Sequence, residues 1–323
     1  MTDATPSAAP GLLLVINSGS SSWKFAVFDS DGAEGPALAR GTLSDGPASG
    51  FEAEDLRGNL LVRRRLDGGS SSDGVFAGLV EWVEGLPGGR ILTSVGHRIV
   101  HGGEEFFDPV VLTGDRIKSL AQLTPLAPLH QPRCLEAVRI LAELRPQLPQ
   151  VACFDTAFHR SIDAIVRRYG LPRRFEEQGI RKYGFHGLSY EHVADRLAEM
   201  GENTNARTVV AHLGSGASVC ALRDGRSRDT SMGFSVLDGL PMATRCGSID
   251  PGAILYMQRH LELDAAEIED LLYHDAGLLG VSGISGDLRV LVASKDPHAI
   301  AAVEFYCFHV ARQVAIMASV KPG

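Results

Sequence analysis

A chain of 323 residues with 44% hydrophobic and 22% charged side chains has the balance of a folded protein of about two domains, which excludes disorder, a collagen repeat and a disulfide scaffold. The net charge, 31 − 39 = −8, repels phosphate backbones and sets nucleic acid aside as a general partner. The first apolar run, residues 12–16, is too short to span a membrane and lacks the basic flank of a signal peptide.

Residues 1–10 read as a flexible tail. A buried strand is expected over 12–16, a turn over 17–22, and a second strand over 23–29 with Trp23, Phe25 and Val27 on one face. Segments 31–50 and 68–74, rich in Gly, Ser and Asp, read as surface connections. The pattern then predicts a helix over 74–84, a strand over 91–100, a short helix over 115–123, a proline-stiffened loop holding His130, and a helix over 134–144. Residues 151–154 form a short strand that delivers Asp155 and Thr156 at its carboxyl end, where ligands sit in α/β sheets. A helix over 190–199 takes Ser189 as its cap. Strands over 208–213 and 218–222 precede helices over 254–261, 265–273 and 297–320. Strands alternating with helices make the class α/β.

Two stretches share one design. Residues 12–29 and 208–224 each run apolar strand, Gly-Ser turn (Gly19-Ser20, Gly214-Ser215), small residues, apolar strand, Asp (Asp29, Asp224). Such turns point backbone N–H groups into a concavity that suits phosphate oxygens; either one alone reads first as an ordinary hairpin, and it is the pairing that favours the phosphate reading. One in each half suggests a duplicated core. The 36 glycines, about 11% of the chain against a usual ~7%, agree with close backbone approach to a ligand. No P-loop, no GxGxxG and no GxSxG is present. Ser21-Ser22-Trp23-Lys24 matches SxxK but lacks the S-D-N and K-T-G partners of that signature. The five cysteines are odd in number and form no CxxC pair, so they read as reduced thiols of a cytoplasmic protein.

His97 and His101 have a zinc-like spacing but no HExxH, and on a strand His97, Ile99 and His101 share one face while Arg98 and Val100 share the other. An arginine beside an apolar residue at a strand end suits a small carboxylate with a methyl tail; the alternative, a solvent-facing Arg98, loses ground because residues 95–100 read as a central strand. His186, set among glycines and aromatics, is placed to donate to a phosphoryl oxygen or to serve the structure alone. Arg98 and Arg245 suit a clamp on a transferring phosphoryl group.

Nine segments in order carry a resemblance: NSGSSSWK (17–24), GHRIVHGG (96–103), APLHQP (127–132), FDTAFH (154–159), YGFHG (183–187), HLGSGAS (212–218), DTSMGF (229–234), TRCGSIDPG (244–252) and GVSGISGDLR (280–289). Together they resemble the acetate and propionate kinase family of the sugar kinase, heat-shock chaperone and actin superfamily. The resemblance implies an α/β, two-domain duplicated ribonuclease H-like (actin-like ATPase) fold with an interdomain cleft, its domains at residues 11–155 and 156–323. It implies reversible phosphorylation of acetate by ATP to acetyl phosphate and ADP, with Mg²⁺ or Mn²⁺, in a cytoplasmic homodimer with no nucleic acid or membrane partner. It places Asp155, Arg98, Arg245 and His186 in the catalytic set, with Val100, Leu129, His130 and Phe185 about the acyl group. Lys24, Ser20, Ser22, His212, Leu213, Gly214, Ser215 and Gly216 fall on the phosphates, Asp287, Leu288 and Arg289 near the adenosine, and Asn17 at the metal.

Acetate, like a glutamate side chain, has a pKa of roughly 4 to 5 and is already ionised at neutral pH, so no general base is required. Charge must instead be neutralised as two anions meet, which is work for Arg98, Arg245, His186 and a cation, with Asp155 positioning groups or serving the metal. The sequence departs from the family at Ser215, where asparagine is usual, and at Val236, where proline is usual. The family also runs on past the position of Gly323 with a nucleotide loop, a glutamate at the metal and a closing helix, so the second domain is expected to be cut short. Propionate kinase and an inactive nucleotide-binding relative are the alternatives.

Overall fold

The computed structural model describes residues 11–19, 22–30, 35–45, 49–66, 71–202 and 206–320. The expected tail, 1–10, and Ser20 of the first Gly-Ser turn lie outside these residues. The chain forms two compact units, Met1–Phe154 and Asp155–Gly323.

The first unit is built on an eight-stranded sheet. Strands β1 (Gly11–Ser18), β2 (Trp23–Asp29), β3 (Ala39–Ser44), β4 (Gly50–Glu54) and β5 (Leu60–Arg65) run as an antiparallel meander. On the other side of β1, β6 (Ile91–Ile99) and β8 (Gln150–Phe154) are parallel to it, and the two-residue β7 (Val110–Val111) closes the edge. Helices α1 (Ser72–Glu84) and α3 (Gln131–Leu144) supply the side chains that bury one sheet face; α2 (Gly114–Gln122) precedes α3. Alternation makes this possible: Leu12, Leu14 and Ile16 of β1 and Trp23, Phe25 and Val27 of β2 meet Phe76 and Leu79 of α1 and Ile140 and Leu141 of α3. Trp23 stands edge-on to Phe76 with ring centres 5.0 Å apart. Each such buried side chain contributes about 1.5–3 kcal/mol.

Segment 31–50 is not merely a connection, since β3 and the start of β4 lie in it and β5 follows. Only Ala39, Leu43, Phe51 and Ala53 mark the buried face of β3 and β4, so the period-2 pattern is faint. A Cβ on Gly41 would fall 2.0 Å from the Glu52 carbonyl oxygen and 2.6 Å from Phe25, so a residue that reads as a loop former is required inside a strand. Cross-strand pairs Arg40–Glu54 and Arg63–Glu52 occupy the solvent side.

The second unit opens on the same device, an antiparallel meander of β9 (Arg207–Leu213), β10 (Ala217–Arg223) and β11 (Arg226–Thr230). Helix α6 (Gly187–Glu199) lays Tyr190 and Ala194 on Cys220 and Leu222 of β10. It begins at Gly187 rather than Tyr190, with His186 as N-cap in the left-handed region at φ 59°. Ser189 is no cap; its hydroxyl meets His212 instead. Small helices α4 (Ala164–Arg167) and α5 (Arg173–Glu177) precede α6. Helices α7 (Pro251–His260), α8 (Ala265–Asp270), α9 (Gly277–Ser282), α10 (Leu288–Ala293) and α11 (Pro297–Ala318) follow the sheet. Helix α7 starts before the expected residue 254 because Asp250 caps it through the Gly252 N–H and Pro251 fits its first turn. Helix α8 carries a full capping box of Asp264 and Glu267, then passes into a π-turn over Leu271–Asp275. Long, apolar α11 has the length and composition to cross a membrane, but here packs Ala299, Ala302 and Tyr306 on Leu278 and Leu291.

Candidate active site

In the first unit, three predicted residues lie in one row. Asn17 pairs with Lys24 across the β1–β2 ladder and with Arg98 across the β1–β6 ladder, so the three side chains share a sheet face. Their neighbours Ile16, Trp23, Phe25, His97 and Ile99 are buried on the opposite face. Arg98 Nη1 donates to Asn17 Oδ1 at 3.0 Å and to the Ser18 carbonyl oxygen at 3.3 Å. The adjoining turn is closed by the Gly19 N–H donating to the Ser22 carbonyl at 2.8 Å.

Val100 follows β6 and is buried. Strand β6 ends at Ile99, so His101 does not share a strand face with His97. His101 turns the chain instead, its Nδ1 accepting from the Gly103 N–H at 2.9 Å. Buried Gln131 pins this corner to the start of α3: its Oε1 accepts from the His101 N–H, and its Nε2 donates to the carbonyls of His101 and Leu120. His130 immediately precedes that helix, and Leu129 beside it is exposed. His97 donates from Nε2 to Gln150 Oε1 at 2.7 Å, and burial pushes its pKa down to about 4.

In the second unit, four elements meet at the β9–β10 turn. The Gly214 N–H donates to the Gly216 carbonyl at 3.0 Å, and the Ser215 carbonyl accepts from the Ala243 N–H at 3.2 Å. The rings of His186 and His212 stack with centres 4.2 Å apart. A methyl group on Gly216 would lie 3.3 Å from His186 Nε2 and 3.8 Å from Arg245 Nη1, and one on Gly214 would lie 3.7 Å from His212 Nε2. The turn is therefore ringed by two imidazole Nε2 atoms and a guanidinium. Leu213 is exposed beside it.

Arg245 is carried on a loop stitched to α9: the Ala276 N–H donates to the Thr244 carbonyl, and the Leu278 N–H to the Met242 carbonyl. Gly277 is indispensable there, at φ 60°, since a Cβ would sit 2.2 Å from the Met242 carbonyl oxygen and 2.6 Å from that of Arg245. Asp155 is buried, and its carbonyl accepts from the Gly187 N–H at 2.9 Å, which ties it to the His186 cap. His159 supports the same turn from below. Its Nε2 donates to the Phe185 carbonyl at 2.9 Å, Nδ1 meets Ser227 Oγ at 2.8 Å, and burial pushes its pKa down to about 4. Phe185 itself is buried.

Asp287, Leu288 and Arg289 lie at the start of α10, directly after Gly286, where a Cβ would fall 2.7 Å from the carbonyl oxygen of Ala243, the residue that donates to Ser215. Asp287 caps that helix, and the Arg289 side chain and amide hold its carboxyl below the usual carboxylate range. Sequence reasoning passed over Ser189, Ser218, Tyr190 and His159, whose polar atoms hold the two stacked histidines and the turn between them.

Among the described residues no group of three or more His, Cys, Asp or Glu is arranged to hold a metal ion. One buried carboxylate, Asp155, is of the kind that a hard divalent cation takes when substrate phosphates and water complete its shell.

The profile of the acetokinase family matches residues 12–321. Acetate kinase of Rhodopseudomonas palustris (strain ATCC BAA-98 / CGA009) is 46% identical over 317 residues, covering 97% of this chain and 80% of that protein. Acetate kinase of Nitrobacter hamburgensis is 44% identical over 321 residues, 96% of this chain and 78% of that one. Among solved structures, a propionate kinase from Francisella tularensis superposes with a TM-score of 0.87 at 35% identity, covering 95% of this chain and 80% of the other. Acetate kinase of Porphyromonas gingivalis gives 0.84 at 33% identity, covering 96% and 80%. With a match running through almost every element of both units, and a fold shared with solved members, the chain belongs to the acetokinase family and is a kinase.

Proposed function

We propose that the chain transfers a phosphoryl group reversibly between ATP and acetate, forming acetyl phosphate and ADP. The observation that carries this reading is the convergence of His186, His212 and Arg245, two imidazoles and a guanidinium able to donate N–H bonds, on the Gly214–Gly216 turn. Direct in-line transfer needs such a set: acetate attacks as a carboxylate, and the protein's task is to hold charge on the transferring group.

Arg98 binds the acetate carboxylate, with Val100, Leu129, His130 and Phe185 about the methyl group. Arg245 and His186 donate to phosphoryl oxygens. Lys24, Ser20, Ser22, His212, Leu213, Gly214, Ser215 and Gly216 serve the nucleotide phosphates, and Asp287, Leu288 and Arg289 the adenosine. Asp155, and Asn17 through water, would hold Mg²⁺ together with the substrate phosphates, and the bound ion would supply charge neutralisation; Asn17 Oδ1 also holds Arg98. Residues 11–155 and 156–323 are the two domains of a duplicated actin-like ATPase fold, a reading supported by the matching meanders β1–β3 and β9–β11. Free cysteines support a cytoplasmic site, and the exposed Phe308 and Ile316 of α11 support a homodimer.

Trapping acetyl phosphate with hydroxylamine in the presence of acetate, ATP and Mg²⁺ tests this. Acyl hydroxamate is expected with the full chain and is expected to be lost in His186→Ala and Arg245→Ala. Propionate is expected to react more slowly; one methylene is worth only about 1–3 kcal/mol, so the ratio of kcat/KM values is the deciding number. No product from either acid would overturn the reading.

A further inference from the structure

His186 sits at a helix cap in a left-handed conformation, and its place there leaves open which ring nitrogen carries the proton. The surroundings settle that question. His186 Nδ1 lies 2.8 Å from Ser218 Oγ, and the same oxygen lies 2.5 Å from the Tyr190 hydroxyl. Ser218 and Tyr190 are both fully buried. Tyr190 stands four residues after His186 on α6, one turn along the same helix face, and Ser218 pairs with His212 across the β9–β10 ladder. The fold thus brings three side chains from two elements into one line behind the glycine turn.

The hydrogens can be counted along this line. The fully buried Tyr190 phenol has Ser218 Oγ as its hydrogen-bond partner, and a buried hydroxyl hydrogen is directed at such a partner. Burial drives the phenol pKa upward, so the group keeps its single hydrogen. That hydrogen goes to Ser218 Oγ. The serine's own hydrogen cannot then point back at the phenol, and it goes to His186 Nδ1. A nitrogen that accepts this bond carries no hydrogen of its own, so in the neutral ring the proton is on Nε2. Nε2 is the atom that faces the Gly214–Gly216 turn, 3.3 Å from where a methyl on Gly216 would stand.

We propose that Tyr190 and Ser218 are positioning residues that form a hydrogen-bond relay and hold His186 as its Nε2–H tautomer, a donor aimed at the phosphate turn. The opposite tautomer would turn a lone pair toward phosphoryl oxygens and repel them. The companion ring is held in the same sense, with His212 Nδ1 2.9 Å from Ser189 Oγ. The relay deepens the function proposed above and rests on its placement of phosphoryl oxygens at this turn.

The full chain labelled with ¹⁵N-histidine provides the test, with His186→Gln used to assign the resonances. Wild-type protein near neutral pH should show His186 with a pyrrole-type Nε2 and a pyridine-type Nδ1. Ser218→Ala should give exchange-averaged nitrogens, Ser218→Thr should restore the wild-type pattern, and Tyr190→Phe, which frees the serine hydrogen, should fall between. In turnover, Ser218→Ala should lower kcat roughly ten- to a hundredfold with KM for acetate unchanged, and Ser218→Thr should recover most of it. A pyrrole-type Nδ1 in the wild type, or a Ser218→Ala spectrum identical to it, overturns the relay. The relay stands on the spectra alone, so full activity in His186→Ala beside the expected spectra would remove the role given to His186 and leave the relay intact.

Discussion

Arg98 shows how one residue can be both legible and incomplete in a sequence. Its position at the end of an apolar strand, two residues before Val100, already suggests an anion held beside an apolar surface. The row Lys24–Asn17–Arg98 is supplied by the ladders on either side of β1, which no local pattern states. The guanidinium reaches both Asn17 and Ser18 through Nη1, a planar fork that a lysine ammonium cannot copy. Arg98→Lys should therefore reduce kcat/KM for acetate by about 10²–10³, the range for removing one donor from a developing charge. Asn17→Ala should cost less, because it removes a support and leaves the guanidinium. Steady-state rates in the hydroxamate assay will show whether that order holds; equal losses would mean that Asn17 touches substrate directly. Ser218 and Tyr190 lie at the other extreme. A serine after a glycine turn and a tyrosine inside a helix carry no local mark of a shared task, and only the packing of α6 on β10 joins them.

At the scale of elements, both hairpins were readable because Gly-Ser turns interrupt apolar runs, whereas β11 was not. Arg226–Thr230 is too polar to announce a strand. The cue was nonetheless present in Asp224-Gly225, whose φ values of 55° and 66° give the two-residue turn that Asp-Gly favours. The same scale explains which glycines matter. Gly225 and Gly277 both have positive φ, yet a Cβ on Gly225 meets nothing within 4 Å, while one on Gly277 collides with the carbonyls of Met242 and Arg245. Gly225→Ala should cost about 1 kcal/mol, from backbone conformation alone. Gly277→Ala should cost more than about 2 kcal/mol and also depress kcat, because relief of the clash must move the Arg245 loop. Urea unfolding of the two variants, with turnover measured on each, separates the two effects. Similar midpoints would show that α9 yields without disturbing the loop.

Across the whole molecule, three buried histidines shape the response to acid. Burial pushes His97, His101 and His159 down to about 4, against 6.5 for an accessible ring. Between those values the unfolded chain binds protons that the folded chain refuses, so stability is complete above pH 6.5 and falls as pH drops through about 4. The slope is about 1.4 kcal/mol per pH unit for each histidine. Denaturant unfolding at pH 7 and pH 5 should show lower stability at pH 5, and an unchanged free energy would contradict the neutral burial of these rings. The two meanders also differ in a way their common design conceals. Strand β1 is flanked by β2 and β6, while β9, among the described residues, is bonded along one side only, to β10. Amide protons of β1 can exchange with solvent only when the sheet around them opens, whereas alternate amides of β9 are free of any ladder. Strand β1 thus belongs to the slow-exchanging part of its unit, whereas β9, bonded along one side among the described residues, can breathe and is the more compliant of the two.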